Sequence, residues 1–147
     1  NTWGGALFAN GLYDPYGECV RSAYTKRAGT GNFKAEWVAD LPEAGRYEIF
    51  AYRPHIELFD GENGTCVTDY PGMKNYYTVY TPEGSEEVIL GVERGDPLWV
   101  SLGTFSLPEG KSRVVLDDRG VTPIEGEYGA KYVQLVVADA VKWVKAK

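Results

Sequence analysis

The sequence predicts an all-β domain, a β-sandwich for which a jelly roll is the natural topology, and three observations lead there. Period-two alternation of apolar and polar residues recurs along the chain, whereas helical periodicity is hard to find. Turn-forming groups of proline, glycine and small polar residues punctuate the apolar runs at close spacing. The last third holds three β-type runs: Trp99-Val100-Ser101-Leu102-Gly103-Thr104-Phe105, Arg113-Val114-Val115-Leu116-Asp117-Asp118, and Val137–Val144.

Taken in order, the first 25 residues carry glycines and tyrosines with one strand candidate around Cys19–Tyr24. Phe33, Ala35, Trp37 and Ala39 then alternate with Lys34, Glu36 and Val38, which suits a half-buried strand. Leu41-Pro42-Glu43-Ala44-Gly45 is a turn, because proline presets one backbone angle and glycine accepts the left-handed region. The run Arg46–Arg53 stops at Pro54, so 32–39 and 45–53 read as an antiparallel hairpin. A second hairpin joins Tyr76–Tyr80 to Glu86–Val92 through Thr81-Pro82-Glu83-Gly84-Ser85, and a third joins Leu98–Leu107 to Lys111–Asp117 across Pro108-Glu109-Gly110. Lys131–Val144 is the final strand. His55–Met73 and Gly120–Ala130 read as loops, and loops beyond about 12–15 residues usually serve function or motion.

No internal repeat, low-complexity tract or linker interrupts the 147 residues, so residues 1–147 are expected to form one domain with its own core. A formal net charge of −6, with lysines and arginines dispersed, argues against nucleic acid and anionic membranes as partners. No apolar run approaches the roughly 20 residues of a membrane span. The chain begins at Asn1, which reads as a mature or excised segment of a larger protein. Cys19 and Cys66 lie outside any C-x-x-C pattern; a disulfide and two separate thiols both fit.

Catalytic signatures are poor. His55 is the single histidine, which excludes a histidine pair for zinc and leaves one possible centre for a serine triad. Among 21 acids, Asp117 and Asp118 are adjacent at a strand end, where successive side chains point to opposite faces; they read as solvated turn formers. Gly29-Thr30-Gly31 lacks the Gly-Lys-Ser/Thr and the helix of a phosphate loop. Asp60-Gly61-Glu62-Asn63-Gly64-Thr65 departs from the calcium-loop pattern and reads as a solvated turn.

Aromatic residues make up 14% of the chain, with 11 tyrosines and 4 tryptophans, enough to ask which rings face a ligand. A sugar presents a face of C–H groups that lies flat on a Tyr or Trp ring, whose polar edge tolerates water. The candidates in loops or on the polar phase of strands are Trp3, Tyr13, Tyr16, Tyr70, Tyr76 and Tyr128, with Asp14 set between two rings in Tyr13-Asp14-Pro15-Tyr16. Trp37, Tyr47, Tyr77 and Phe105 fall on the inward phase and read as core, and Trp99 leans the same way. Phe50 and Tyr52 share the phase of Glu48 and either line a concave sheet face or pack beneath the long segment after Pro54.

Five strings in order resemble one family: Gly29-Thr30-Gly31 before an alternating strand, Asp40-Leu41-Pro42-Glu43-Ala44-Gly45-Arg46-Tyr47-Glu48-Ile49, Tyr77-Thr78-Val79-Tyr80, Trp99–Phe105, and Ala138-Asp139-Ala140-Val141-Lys142-Trp143. They look like the golvesin/xanthan-lyase carbohydrate-binding-like domain over roughly residues 29–144, with His55–Met73 resembling an insertion. The resemblance implies a galactose-binding-like jelly-roll β-sandwich attached to a larger secreted, periplasmic or bacterial cell-surface protein. It further implies a noncatalytic accessory domain whose partners are a polysaccharide or oligosaccharide and a neighbouring domain of the same polypeptide. The competing expectation is a structural module that packs on a catalytic domain and binds no free ligand.

Asp139 stands among Val137, Ala138, Ala140 and Val141, where an ionised carboxylate is costly unless it is paired, hydrogen-bonded or bound to metal. Carbohydrate modules of the resembled fold often hold a structural calcium near the terminal strands, which makes Asp139 a candidate ligand. The alternative is a carboxylate satisfied by backbone amides or by an arginine such as Arg46 or Arg53.

Overall fold

A computed structural model describes residues 21–23, 31–32, 34–55, 57–60, 64–68, 73–92, 98–120, 123–125, 131–134 and 136–147. Thirteen strands and one 3₁₀ turn occur among them, and the fold is all-β. In chain order the strands are β1 (Arg21–Ala23), β2 (Lys34–Leu41), β3 (Gly45–Tyr52), β4 (Glu57–Asp60), β5 (Gly64–Val67), β6 (Met73–Thr81) and β7 (Gly84–Val92). Then follow β8 (Trp99–Leu107), β9 (Gly110–Asp117), the turn Asp118–Gly120, β10 (Pro123–Glu125), β11 (Lys131–Gln134), β12 (Val136–Ala138) and β13 (Val141–Lys145).

Two antiparallel sheets make the sandwich. One has the order β2-β9-β6-β7 and the other β13-β3-β8. A mixed sheet, β10-β11-β5-β4, and the pair β1-β12 accompany them. Each main sheet turns one residue phase inward. Tyr77, Val79, Val114 and Leu116 of the four-stranded sheet are buried with Tyr47, Ile49, Ala51, Phe105 and Leu107 of the three-stranded one, and Ala35, Trp37 and Ala39 of β2 pack against that core. Trp143 on β13 joins the layers by donating its indole N–H to Ser112 Oγ on β9 at 2.9 Å.

An extra residue on β8 lets two core side chains of opposite parity both turn inward. Ile49 pairs with Gly103 and Phe50 with Ser101, so Leu102 is bulged out of register. The phase resets there, and Leu102 and Phe105, three apart, are both buried. Gly103 has φ +123° and lies under the Phe105 ring, where a Cβ would come within 3.2 Å of Cζ. That position requires glycine.

Several expectations need correction. β2 and β3 are not a hairpin: β2 pairs with β9, while β3 pairs with β8 and β13 in the opposite sheet. β8 and β9 likewise belong to different sheets. Both connections are corners between layers. After Leu41-Pro42 the corner is held by the Tyr47 hydroxyl, which donates to the Glu43 carbonyl at 2.7 Å. The β6–β7 hairpin stands as read, with Thr81 opposite Gly84. The stretch 131–144 is divided into β11, β12 and β13, and the segment after Pro54 contains β4 and β5 as an antiparallel pair.

Candidate functional site: a charged aromatic sheet face

The inward phase of β6 carries Tyr77 and Val79, so the alternating residues Tyr76, Thr78 and Tyr80 stand on the outer face of the four-stranded sheet. Register fixes their neighbours. Thr78 is opposite Val115 of β9 and Glu87 of β7, and Val115 is opposite Glu36 of β2. Tyr76 is flanked by Ile89 and Tyr80 by Ser85 on β7. Arg113 on β9 pairs with Val38 on β2. The two tyrosines are about 13 Å apart along the strand, far enough to span more than one sugar ring.

Each tyrosine carries an arginine. The Arg113 guanidinium lies over the Tyr80 ring, 3.8 Å from its centroid, and makes an ion pair with Glu36 at 3.3 Å. The Arg119 guanidinium lies over the Tyr76 ring at 4.5 Å. Arg119 is held on three sides: Nε and Nη2 donate to Asp117 at 3.0 and 2.9 Å, and Nη2 donates to Glu87 at 2.5 Å. Hydrogen bonds to Asp117 and then Glu87 raise its affinity for the proton above the ordinary arginine value. Its charge is therefore permanent.

The 3₁₀ turn makes this fork possible, because it brings Arg119 back on Asp117 two residues earlier. Asp117 Oδ1 also accepts from the Arg119 backbone N–H at 2.9 Å. Asp118 turns the other way and accepts from the Gly31 N–H at 2.8 Å. Gly31 has φ +86°, and a Cβ there would sit 3.1 Å from Arg119 Cγ. Asp117 and Asp118 are thus buried, 5% and 0% exposed, and not solvated as expected. Their charges are satisfied by a guanidinium and a backbone amide in the same corner.

Of the expected ligand-contacting residues, Tyr76 lies on this face and is half-buried. Trp3, Tyr13, Asp14, Tyr16, Tyr70 and Tyr128 lie outside the described residues, as does Cys19. Tyr80, Arg113 and Arg119 were not anticipated. Tyr80 was legible, since it shares the phase of Tyr76 on the same strand. The arginines were not, because their place over the rings depends on the pairing of β9 with β6.

A second aromatic group belongs to the other sheet. Tyr52 and Trp99 meet edge to face with centroids 5.0 Å apart, and Lys142 Nζ lies 4.2 Å from the Trp99 ring and 5.2 Å from that of Phe50. Tyr52 is buried at 7% exposure, while Phe50 and Trp99 are half-buried.

Asp139 lies between β12 and β13, half-buried, and its backbone carbonyl accepts from Trp37 Nε1 at 3.2 Å. Its carboxylate and the Arg53 guanidinium both act on the Tyr77 hydroxyl, the first raising and the second lowering its proton affinity. Burial is the larger effect and lifts the Tyr77 phenol well above its ordinary value. Among the described residues no three His, Cys, Asp or Glu side chains gather as a metal site. His55 follows Pro54 just beyond β3 and is half-buried.

A two-sheet β-sandwich with a charged aromatic outer face defines an all-β sandwich domain. The chain belongs to the Golvesin C-terminal domain family, whose family model matches residues 9–145. That family comprises accessory domains of secreted and cell-surface proteins. The match begins well before residue 29 and includes the segment read as an insertion. No curated protein matches the chain.

Proposed function

We propose that this domain is a noncatalytic carbohydrate-binding accessory domain of a secreted or surface polysaccharide-acting enzyme. The observation that carries the reading is Tyr76 and Tyr80, half-buried on the outer face of one strand, each beneath an arginine. A stacked phenol and guanidinium form a flat surface with fixed N–H and O–H groups at its rim, suited to the C–H faces and hydroxyls of sugars. Thr78 between them adds a hydroxyl. One or two stacked sugars bind with dissociation constants from millimolar to micromolar, about 4–8 kcal/mol. Repeated sites on a polymer, or several domains in a parent protein, would strengthen this by effective concentration.

The alternative of a purely structural module predicts a contiguous exposed apolar patch. The large exposed apolar residues described are Val38, Ile89 and Val144, on β2, β7 and β13. Val38 and Ile89 occupy opposite edges of one sheet, and Val144 is on the other sheet. Such scattered positions do not favour that module.

Affinity electrophoresis of the domain in gels containing plant, microbial and host polysaccharides tests the proposal. Retardation in at least one gel, weakened by Tyr76→Ala and Tyr80→Ala, is the expected result. Unretarded migration in all of them would favour the structural module, and turnover of any glycan by the isolated chain would overturn the noncatalytic reading.

A further inference from the structure

A cleft of about 240 Å³ opens at the turn end of the same sheet face. Tyr80, Thr81 and Pro82 of the β6–β7 hairpin form one side, and Pro108, Lys111 and Arg113 around the β8–β9 corner form the other. Its volume is below the roughly 300 Å³ at which drug-sized pockets begin, so it takes one ring and not a chain. Its walls are unusual in charge for a domain of net charge −6: among the described lining residues there are two cations and no acid.

We infer that this cleft is a subsite for an acidic sugar ring, a uronic acid unit of a polysaccharide, with its carboxylate placed between Arg113 and Lys111. The inference rests on the carbohydrate-binding reading and names the ligand class of that site. Two proline rings and the Tyr80 phenol offer apolar surface to the sugar's C–H groups, and Thr81 offers a hydroxyl. The Tyr80 stack fixes the plane of the Arg113 guanidinium, a planar donor suited to a carboxylate.

Both cations already have an acid on β2: Glu36 lies 3.3 Å from Arg113 and Asp40 lies 3.8 Å from Lys111. The side chains of the first pair are each 45% exposed, and those of the second are 77% and 76% exposed. Exposed pairs of this kind hold weakly, so an incoming carboxylate competes for both cations. At physiological salt the screening length is about 8 Å, which limits repulsion from the rest of the acidic domain.

The test measures retention of the protein on polygalacturonate, alginate and hyaluronan, each beside its carboxyl-reduced neutral form, with polyglutamate as a sugar-free polyanion. The expected result is retention by at least one uronate polymer that is lost on carboxyl reduction and falls as salt rises. In Arg113→Gln, that retention weakens roughly ten-fold, and it weakens in Lys111→Gln as well. Both positions are substantially exposed, and thermal unfolding of the variants checks that they fold. Equal retention by acidic and reduced polymers would overturn the acidic-sugar subsite while leaving carbohydrate binding intact. Equal retention by polyglutamate, or unweakened retention in both variants, would also overturn the subsite. No retention by any saccharide would overturn both readings.

Discussion

Arg119 grips the carboxylate of Asp117, two residues before it, through both Nε and Nη2 at 3.0 and 2.9 Å. The carboxylate is buried, with its side chain 6% exposed, whereas 35% of the arginine side chain reaches water. The pair links the turn after β9 to Glu87 on β7 and holds a guanidinium over Tyr76.

Asp117→Ala is expected to destabilise the domain by about 2 kcal/mol in urea unfolding. That is less than the roughly 3–5 kcal/mol for breaking a fully buried ion pair, because Arg119 can turn to solvent. A change within about 0.5 kcal/mol would show that the fork contributes only geometry.

Gly31→Ala is expected to cost about 1–2 kcal/mol, because alanine disfavours φ +86° and its Cβ would press on the Arg119 stem. Gly91→Ala meets nothing within 4 Å and has no positive φ, so its melting temperature should barely move. Equal effects of the two substitutions would remove the special role of Gly31.

Alkaline pH should unfold the protein partly through Tyr77. Its phenol is raised above the ordinary 10.0, so below about pH 10 both states keep the proton and its contribution is complete. As pH rises further, the unfolded chain releases that proton first, and stability falls until the folded phenol also titrates. Tyr77→Phe should therefore show a shallower loss of stability above about pH 10 than the unaltered protein. Identical alkaline slopes would place the Tyr77 hydroxyl in water.

Tyr80→Ala is expected to weaken glycan retention about five- to ten-fold, the worth of one stacked ring, while moving the melting temperature little. A large fall in melting temperature with unchanged retention would make the Tyr80–Arg113 stack a structural brace.

Strand identities were legible where local pattern decides them. The β6–β7 hairpin follows from alternation on both sides of Pro82-Glu83, and Tyr47, Tyr77 and Phe105 are core as their phase demanded. Partner choice was not legible at Pro42-Glu43-Ala44 or Pro108-Glu109, because a corner between sheets uses the same turn residues as a hairpin. Deciding between them takes the long-range pairing of Lys34 with Asp117 and of Tyr47 with Phe105. The short strands after Pro54 were missed despite Asn63-Gly64, a strong hairpin signal, because their runs are only four residues long. At the site, phase alone found Tyr76 and could have found Tyr80. The burial of Asp117 and Asp118 escaped because Arg119 reaches one of them only through the 3₁₀ turn, and Gly31 reaches the other across 87 residues.

The most direct measurement is an NMR titration of the protein with a polysaccharide fragment that it retains, following backbone amides strand by strand. Amides of Tyr76, Thr78 and Tyr80 and those facing them on β9 and β7 should shift in a saturable way, and Tyr76→Ala with Tyr80→Ala should abolish the shifts. Saturable shifts confined to β3, β8 and β13, with the Tyr76–Tyr80 face silent, would contradict the account.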